Sequence, residues 1–170
     1  MLSSIGKRHN KEKMLTRVTN YLEKLPVYTF IPLIGFGLSL YSLLFNFITL
    51  PIRDWNIVFT DTYAESEITW KIFVFMPFLE TLIIQFFPIL FLKEANVKSE
   101  RKIILFSAFL FSAIHLYSLF YMIATFIDGI VFAWCYLLYQ KSKKFSPFLT
   151  VYLIHLLCNT GIFFLMKIIK

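Results

Sequence analysis

The chain has 170 residues, enough for about one domain. Hydrophobic residues make up 58% of it, with phenylalanine at 21 positions, whereas soluble domains are roughly 45–50% apolar. A soluble chain of this length could not bury so much apolar surface, so the composition predicts an all-α, multi-pass transmembrane helical bundle. The formal charge of +7 does not indicate nucleic acid as a partner, because the basic residues lie in short segments between apolar runs and at the chain ends.

A basic tail, residues 1–26, precedes the first apolar run. Apolar residues recur in it at helical spacing among charged ones, at Met14, Leu15, Val18, Leu22 and Leu25. This pattern predicts a short amphipathic helix on the inner membrane surface, the alternative being a solvated tail. Residues 27–170 then form the predicted transmembrane domain.

Four apolar runs follow, and a membrane span needs about 20 apolar residues. Residues 27–50 and 72–92 each satisfy this length. Residues 103–139 are too long for one span, so we expect two helices meeting at a tight turn near residues 117–120. Residues 148–166 supply the last helix, which makes about five spans, the third one short.

Lysine and arginine are unevenly distributed between the two sides of this predicted bundle. Thirteen lie in the tail and in the segments 93–102 and 140–147, against four on the opposite side. Because basic residues concentrate on the cytoplasmic side of membrane proteins, we predict a cytoplasmic amino terminus. The expected location is the cell membrane, with the lipid bilayer as the first partner.

Four polar side chains within the spans are candidates for a functional site, because polar and ionisable groups inside a membrane are costly and usually functional. Glu80 lies in the second predicted helix, His115 in the third, and His155 and Asn159 in the last. At a rise of about 1.5 Å per residue, all four have a similar depth in the membrane. An interhelical hydrogen-bond cluster that only stabilises the bundle is the structural alternative. Such a cluster does not need three titratable groups, which favours a functional site.

The four residue types match the requirements of amide hydrolysis. A carboxylate can act as general base on a water molecule, and a neighbouring histidine can hold that water. A second histidine and an asparagine amide can donate hydrogen bonds to the developing oxyanion. Zinc or another divalent metal held by Glu80, His115 and His155 is an alternative. We favour no metal, because the sequence has no HExxH helix and asparagine is a poor zinc ligand.

Three short motifs also resemble a known family. ETLIIQ (80–85), FSAIH (111–115) and HLLCN (155–159) are similar in order and spacing to EExxxR, FxxxH and HxxxN or HxxxD. Those motifs belong to the CAAX-processing and bacteriocin-immunity (CPBP or Abi, Rce-like) intramembrane proteases, and the resemblance covers residues 72–160. It implies a protease-like domain over residues 27–170 that cuts a peptide or membrane-protein substrate. It further implies that Glu80 activates water, His115 holds it, and His155 and Asn159 stabilise the oxyanion.

The first motif departs from the family pattern at two positions. Thr81 stands where the second glutamate is expected, and Gln85 replaces the arginine. The substitution removes an ion pair and leaves a neutral pair at i, i+4 that is expected to support Glu80. The departures keep open a non-catalytic immunity or scaffold protein of the same fold. A proton-coupled carrier is a third interpretation, disfavoured by the absence of internal repeats.

We make separate structural predictions for three further residues within the spans. Asp128 is expected to hydrogen-bond across the bundle near the outer end of its helix, the alternative being that it lines the cavity. Pro77 and Pro88 flank Glu80 in sequence and are expected to kink or open their helix so that water enters.

Overall fold

The computed structural model describes residues 16–49, 71–116 and 118–169, and this part of the chain contains helices and no strand. Six helices follow in chain order: α1 (16–24), α2 (Val27–Thr49), α3 (Lys71–Phe75, Met76–Glu80, Thr81–Phe86 and Phe87–Glu94 in succession), α4 (Glu100–Ala113), α5 (Leu119–Ser142) and α6 (Pro147–Ile169). The first part of the basic tail, including Met14 and Leu15, lies outside the described residues. Helix α1 forms where the amphipathic pattern predicts one, and its position on a membrane surface stays a prediction.

Within the described part of the chain, four helices are long and apolar enough to cross a membrane: Val27–Thr49, Phe73–Glu94, Leu119–Ser142 and Pro147–Leu165. Helix α4 has 14 residues and is the short one, below the ~20 that a full span requires. The prediction of an all-helical, multi-pass membrane protein is therefore confirmed.

The break between α4 and α5 lies slightly earlier than the sequence predicts. Helix α4 ends at Ala113, and α5 begins after Ser118, whose side chain accepts a hydrogen bond from the Tyr121 backbone N–H at 3.1 Å. Serine is a favoured N-cap because it satisfies one of the free N–H groups of the first turn. The cap fixes the start of α5 and leaves His115 in the connecting turn, two residues beyond α4.

Small residues bring pairs of helices into close contact. Helix α2 packs mainly on α6, and α4 mainly on α5. A Cβ placed on Gly35 would lie 2.8 Å from the Leu157 Cβ, and one on Gly129 would lie 2.8 Å from the Ala108 Cα. Close backbone approach of this kind is typical of helix packing in membranes, where dispersion contacts replace the hydrophobic effect between helices. The close contacts fix the position of α6, which carries His155, and of α4, which ends two residues before His115.

Helix α3 alternates between two helix types around Glu80. Segments Lys71–Phe75 and Thr81–Phe86 are π-helical, whereas Met76–Glu80 and Phe87–Glu94 are α-helical. Pro77 and Pro88 each occupy the second position of an α-helical segment, where the missing N–H does not break an internal bond. Because proline cannot donate to the carbonyl four residues earlier, both prolines coincide with a change of hydrogen-bond register. Glu80 thus lies at the junction of an α-helical and a π-helical segment.

Candidate active site

Glu80 and two histidines from different parts of the chain converge inside the bundle. The Glu80 Oε2 lies 3.4 Å from His155 Nε2 and 4.0 Å from His115 Nε2. The Glu80 side chain is 20% exposed, His115 13% and His155 5%. The carboxylate therefore faces the imidazoles and keeps an opening through which a small molecule such as water can reach it.

The orientation of His115 is fixed by its own helix. Its Nδ1 lies 2.6 Å from the Phe111 carbonyl oxygen, which can only accept, so Nδ1 carries the hydrogen of this bond. In the neutral ring the lone pair is then on Nε2, the atom that faces Glu80. The Phe111 ring packs against His115 with 4.7 Å between centroids. A hydrogen-bond acceptor of His115 thus faces the carboxylate across 4.0 Å.

His155 is held by aromatic packing. Its ring centroid lies 4.8 Å from that of Phe132 in α5 and 5.5 Å from that of Phe111 in α4. His155 Nδ1 is buried and has no hydrogen-bond partner in the described part of the chain. A buried ring nitrogen without a partner costs least as a bare acceptor, which places the hydrogen on Nε2, directed at Glu80. The position of the imidazole is therefore constrained by aromatic rings from two neighbouring helices.

Asn159 follows His155 by four residues in α6 and is partly exposed. Residues four apart share a helix face, so the asparagine lies one turn beyond the histidine along the same side. The structure thus brings Glu80, His115 and His155 together and places Asn159 one turn away. The catalytic roles assigned to these residues stay predictions.

Of the supporting pair, Gln85 bonds to α4 and neither residue bonds to the carboxylate in the described structure. Thr81 and Gln85 are both fully buried, and Gln85 Oε1 accepts a hydrogen bond of 2.7 Å from the Ser107 hydroxyl. Thr81 Oγ1 and Gln85 Nε2 have no partner among the described residues. Gln85 therefore connects α3 to α4, and the expected support of Glu80 by a hydrogen bond from this pair is not formed within the described ranges.

Ser107 also compensates for a proline. Its hydroxyl lies 3.3 Å from the Ile84 carbonyl oxygen, the group that residue 88 would bind in a regular α-helix. Because residue 88 is proline, that carbonyl lacks its usual donor. The single Ser107 hydroxyl hydrogen is shared between this carbonyl oxygen and Gln85 Oε1, and the shorter contact is to Gln85. Sequence reasoning missed Ser107, although a serine four residues before Phe111 in an apolar run was the available signal. Phe132 was also missed, since nothing local distinguishes it from other aromatic residues of α5.

Asp128 makes no hydrogen bond across the bundle to any described residue. It lies on α5, is 8% exposed, and its Oδ1 has no partner in the part of the chain that the structure describes. The sequence interpretation expected a pairing, as most buried polar groups have one. Within the described ranges this oxygen is an exception.

A metal centre held by Glu80, His115 and His155 is the alternative interpretation of these residues. Within the described ranges, no group of three or more His, Cys, Asp or Glu side chains is recognised as a site for a metal ion. The zinc alternative gains no support from this observation and stays an untested prediction. The 3.4 Å between Glu80 Oε2 and His155 Nε2 is a distance suited to a weak hydrogen bond.

Together these features define a class: a multi-pass helical membrane protein with a partly exposed carboxylate and two imidazoles buried between its helices. Comparison with family models is consistent with that class. Residues 66–161, more than half of the chain, match the family described as type II CAAX prenyl endopeptidase Rce1-like. The chain belongs to this family of membrane peptidases, which confirms the resemblance drawn from the motifs. Searches of curated proteins and of solved structures found no match.

Proposed function

We propose that this chain is an intramembrane endopeptidase that hydrolyses a peptide bond with a water molecule activated by Glu80. One observation carries the proposal: the Glu80 Oε2 lies 3.4 Å and 4.0 Å from two imidazole Nε2 atoms, in a partly exposed pocket within an apolar bundle. Structural pairing alone does not require a carboxylate with two histidines at this depth, since uncharged polar groups would stabilise the bundle at lower cost.

The distance between Glu80 and His115 supports a bridging water. At 4.0 Å the two acceptors are too far apart for a direct hydrogen bond. A water molecule between them can donate one hydrogen to the carboxylate and the other to His115 Nε2. This arrangement leaves a lone pair of the water oxygen free to attack a carbonyl carbon. It also directs a proton of the water at the carboxylate that acts as general base.

The remaining steps conserve every proton. As the water oxygen bonds to the carbonyl carbon, Glu80 takes one of its protons, and the carbonyl oxygen becomes an oxyanion. His155 Nε2–H and the Asn159 amide donate to that oxyanion, the role of preorganised donors in acyl transfer. Glu80 then passes its proton to the leaving nitrogen as the C–N bond breaks, giving a carboxylic acid and an amine. No cofactor enters this scheme.

The proposed substrate is a peptide or membrane protein that reaches the site from within or beside the lipid bilayer. The bundle exposes large apolar side chains along its transmembrane helices, which fits a lipid environment. The family description names prenyl endopeptidases, and a lipid-anchored peptide is one substrate of this kind. We propose a cell-membrane location with the amino terminus in the cytoplasm, in accordance with the distribution of basic residues.

A non-catalytic immunity or scaffold protein of the same fold is the second candidate. It is favoured by Thr81 Oγ1 and Gln85 Nε2, which are buried and have no partner among the described residues, at the positions where the family motif carries a glutamate and an arginine. In that case the bundle would be retained as a binding surface, and Glu80 would contribute nothing to its effect.

One experiment separates the two candidates. Membranes of cells that express the wild-type chain or Glu80→Gln are compared by mass spectrometry for peptides with new termini. A protease yields new termini in the wild type alone, while both proteins insert to the same level. Identical peptide sets in the two samples, with the biological effect retained in Glu80→Gln, would show a binding protein instead.

A further inference from the structure

Asp128 is the buried carboxyl group that the proposed reaction does not use. Its Oδ1 has no hydrogen-bond partner among the described residues, and the same holds for the buried hydroxyl oxygen of Tyr41 in α2. Helix α2 contacts α5, and the Asp128 carboxyl is within electrostatic range of both Tyr41 and Cys158 in α6. Buried polar groups without partners are costly in an apolar interior, so the described part of the chain presents two polar groups that are available to a ligand.

The packing of α5 on α6 places this site beside the catalytic residues. The two helices are antiparallel neighbours joined by a short turn at 143–146, and Phe132 packs against His155 at 4.8 Å. In an antiparallel pair, a residue one turn earlier on one helix lies opposite a residue one turn later on the other. Asp128 is four residues before Phe132, and Asn159 is four residues after His155. Asp128 therefore lies at the level of Asn159, the proposed oxyanion donor.

We propose that Asp128 and Tyr41 bind a backbone peptide group of the substrate adjacent to the bond that is cleaved. A peptide group carries one N–H donor and one C=O acceptor. The Asp128 carboxyl oxygen can accept from the N–H, and the Tyr41 hydroxyl can donate to the C=O. This inference rests on the proposed function, because it assigns a substrate subsite to that same active site.

The membrane supplies the reason for such a subsite. An extended peptide in a bilayer exposes backbone groups that have no water to bind, and each unsatisfied group costs several kcal/mol. A protease that binds an extended peptide between its helices must therefore provide polar partners beside the scissile bond. Asp128 and Tyr41 would gain hydrogen-bond partners only when the substrate binds. Their hydrogen bonds would therefore stabilise the complex and not the free protein.

The test uses full-length protein in proteoliposomes and a library of fluorogenic peptides that carry an N-terminal dodecanoyl anchor. The variants are Asp128→Leu, Tyr41→Phe and Asp128→Asn, and both steady-state constants and thermal unfolding are measured. Thr125→Val is the matched control, because Thr125 is buried on the same helix and its hydroxyl bonds to backbone carbonyls of its own helix.

We expect Asp128→Leu and Tyr41→Phe to lower kcat/KM by about tenfold, mainly through a higher KM, with a Tm equal to or above that of the wild type. Asp128→Asn keeps the size and an acceptor oxygen and should remain within about threefold of the wild type. Thr125→Val should leave KM unchanged. A residue that only stabilises the bundle would give the opposite result, namely a lower Tm with an unchanged KM.

Unchanged KM in Asp128→Leu and Tyr41→Phe would overturn the subsite while leaving the proposed protease intact, provided that Glu80→Gln is inactive on the same peptides. If the wild type cleaves no peptide of the library, the proposed function fails, and the subsite that rests on it fails as well. In an active protein, a Tm of Asp128→Leu lower by more than about 4 °C would overturn the subsite alone, since an unsatisfied carboxyl cannot stabilise the free protein.

Discussion

The His155 Nε2 atom lies 3.4 Å from the Glu80 Oε2 atom, although the two residues belong to different transmembrane helices, α6 and α3. Phe132 and Phe111 pack on the histidine, and the change of helix type after Glu80 sets the direction of the carboxylate. The contact therefore depends on the positions of four helices and not on a local motif.

Replacing His115 should impair chemistry more than binding. In His115→Ala the proposed water loses one of its two acceptors, so kcat should fall by about 10²- to 10⁴-fold while KM changes little. Stopped cleavage assays in proteoliposomes measure both constants. His115→Gln retains a polar group without the ring and should recover part of the rate. A fall in kcat/KM caused entirely by KM would contradict a role in holding the water.

Removing the Ser107 hydroxyl should destabilise the junction of α3 and α4. Ser107→Ala removes the hydroxyl that donates to Gln85 Oε1 and lies 3.3 Å from the Ile84 carbonyl oxygen, at a cost of about 1–3 kcal/mol. Thermal unfolding in detergent should therefore show a lower Tm. Ser142→Ala is the matched control, because that hydroxyl bonds to a carbonyl of its own helix and should have almost no effect. Equal Tm values for the two variants would contradict the proposed role of Ser107.

A side chain at Gly129 should separate α4 from α5. In Gly129→Ala the new Cβ would lie 2.8 Å from the Ala108 Cα, a backbone atom that cannot move aside without shifting its helix. We expect a loss of about 1–3 kcal/mol, together with reduced cleavage, because Phe111 and the following turn carry His115. Gly37→Ala is the control, since a Cβ there meets no atom within 4 Å. Equal unfolding midpoints for both alanine variants would show that the close contact does not stabilise the bundle.

Chelation tests the proposed independence from metal. Prolonged incubation with 1,10-phenanthroline, followed by its removal, should leave the cleavage rate unchanged, because the proposed mechanism activates the water with Glu80 and not with a metal. Added zinc should not increase the rate of the treated protein. A loss of activity that zinc restores, absent in a parallel sample kept with excess zinc, would require a metal-dependent mechanism.

The helices could be predicted from the sequence because lipid imposes simple rules. Long apolar runs must be helical to satisfy their backbone groups, so α2, α5 and α6 follow closely from the composition. The short α4 also followed, since a run of 37 residues is too long for one span. The start of α5 was placed too late, because the capping role of Ser118 outweighs the continuing apolar pattern.

From the sequence, only those site residues could be predicted whose residue type is unusual in a membrane span. Glu80 and the histidines were identifiable because charge is costly in a membrane. The π-helical segments, the Ser107 contact and the packing of Phe132 on His155 depend on how helices meet in three dimensions. The unsatisfied Asp128 could not be anticipated either, since the usual pairing of buried charges favoured the opposite expectation.

The most direct test of the account is the cleavage rate of purified Glu80→Gln in proteoliposomes, measured beside the wild type and Glu94→Gln, an exposed carboxyl at the end of α3. Glutamine preserves the size of the side chain but cannot take a proton from water. We expect the rate to fall at least about 100-fold in Glu80→Gln, with unchanged insertion and Tm, and to remain normal in Glu94→Gln. Cleavage by Glu80→Gln at the wild-type rate would contradict the proposed mechanism.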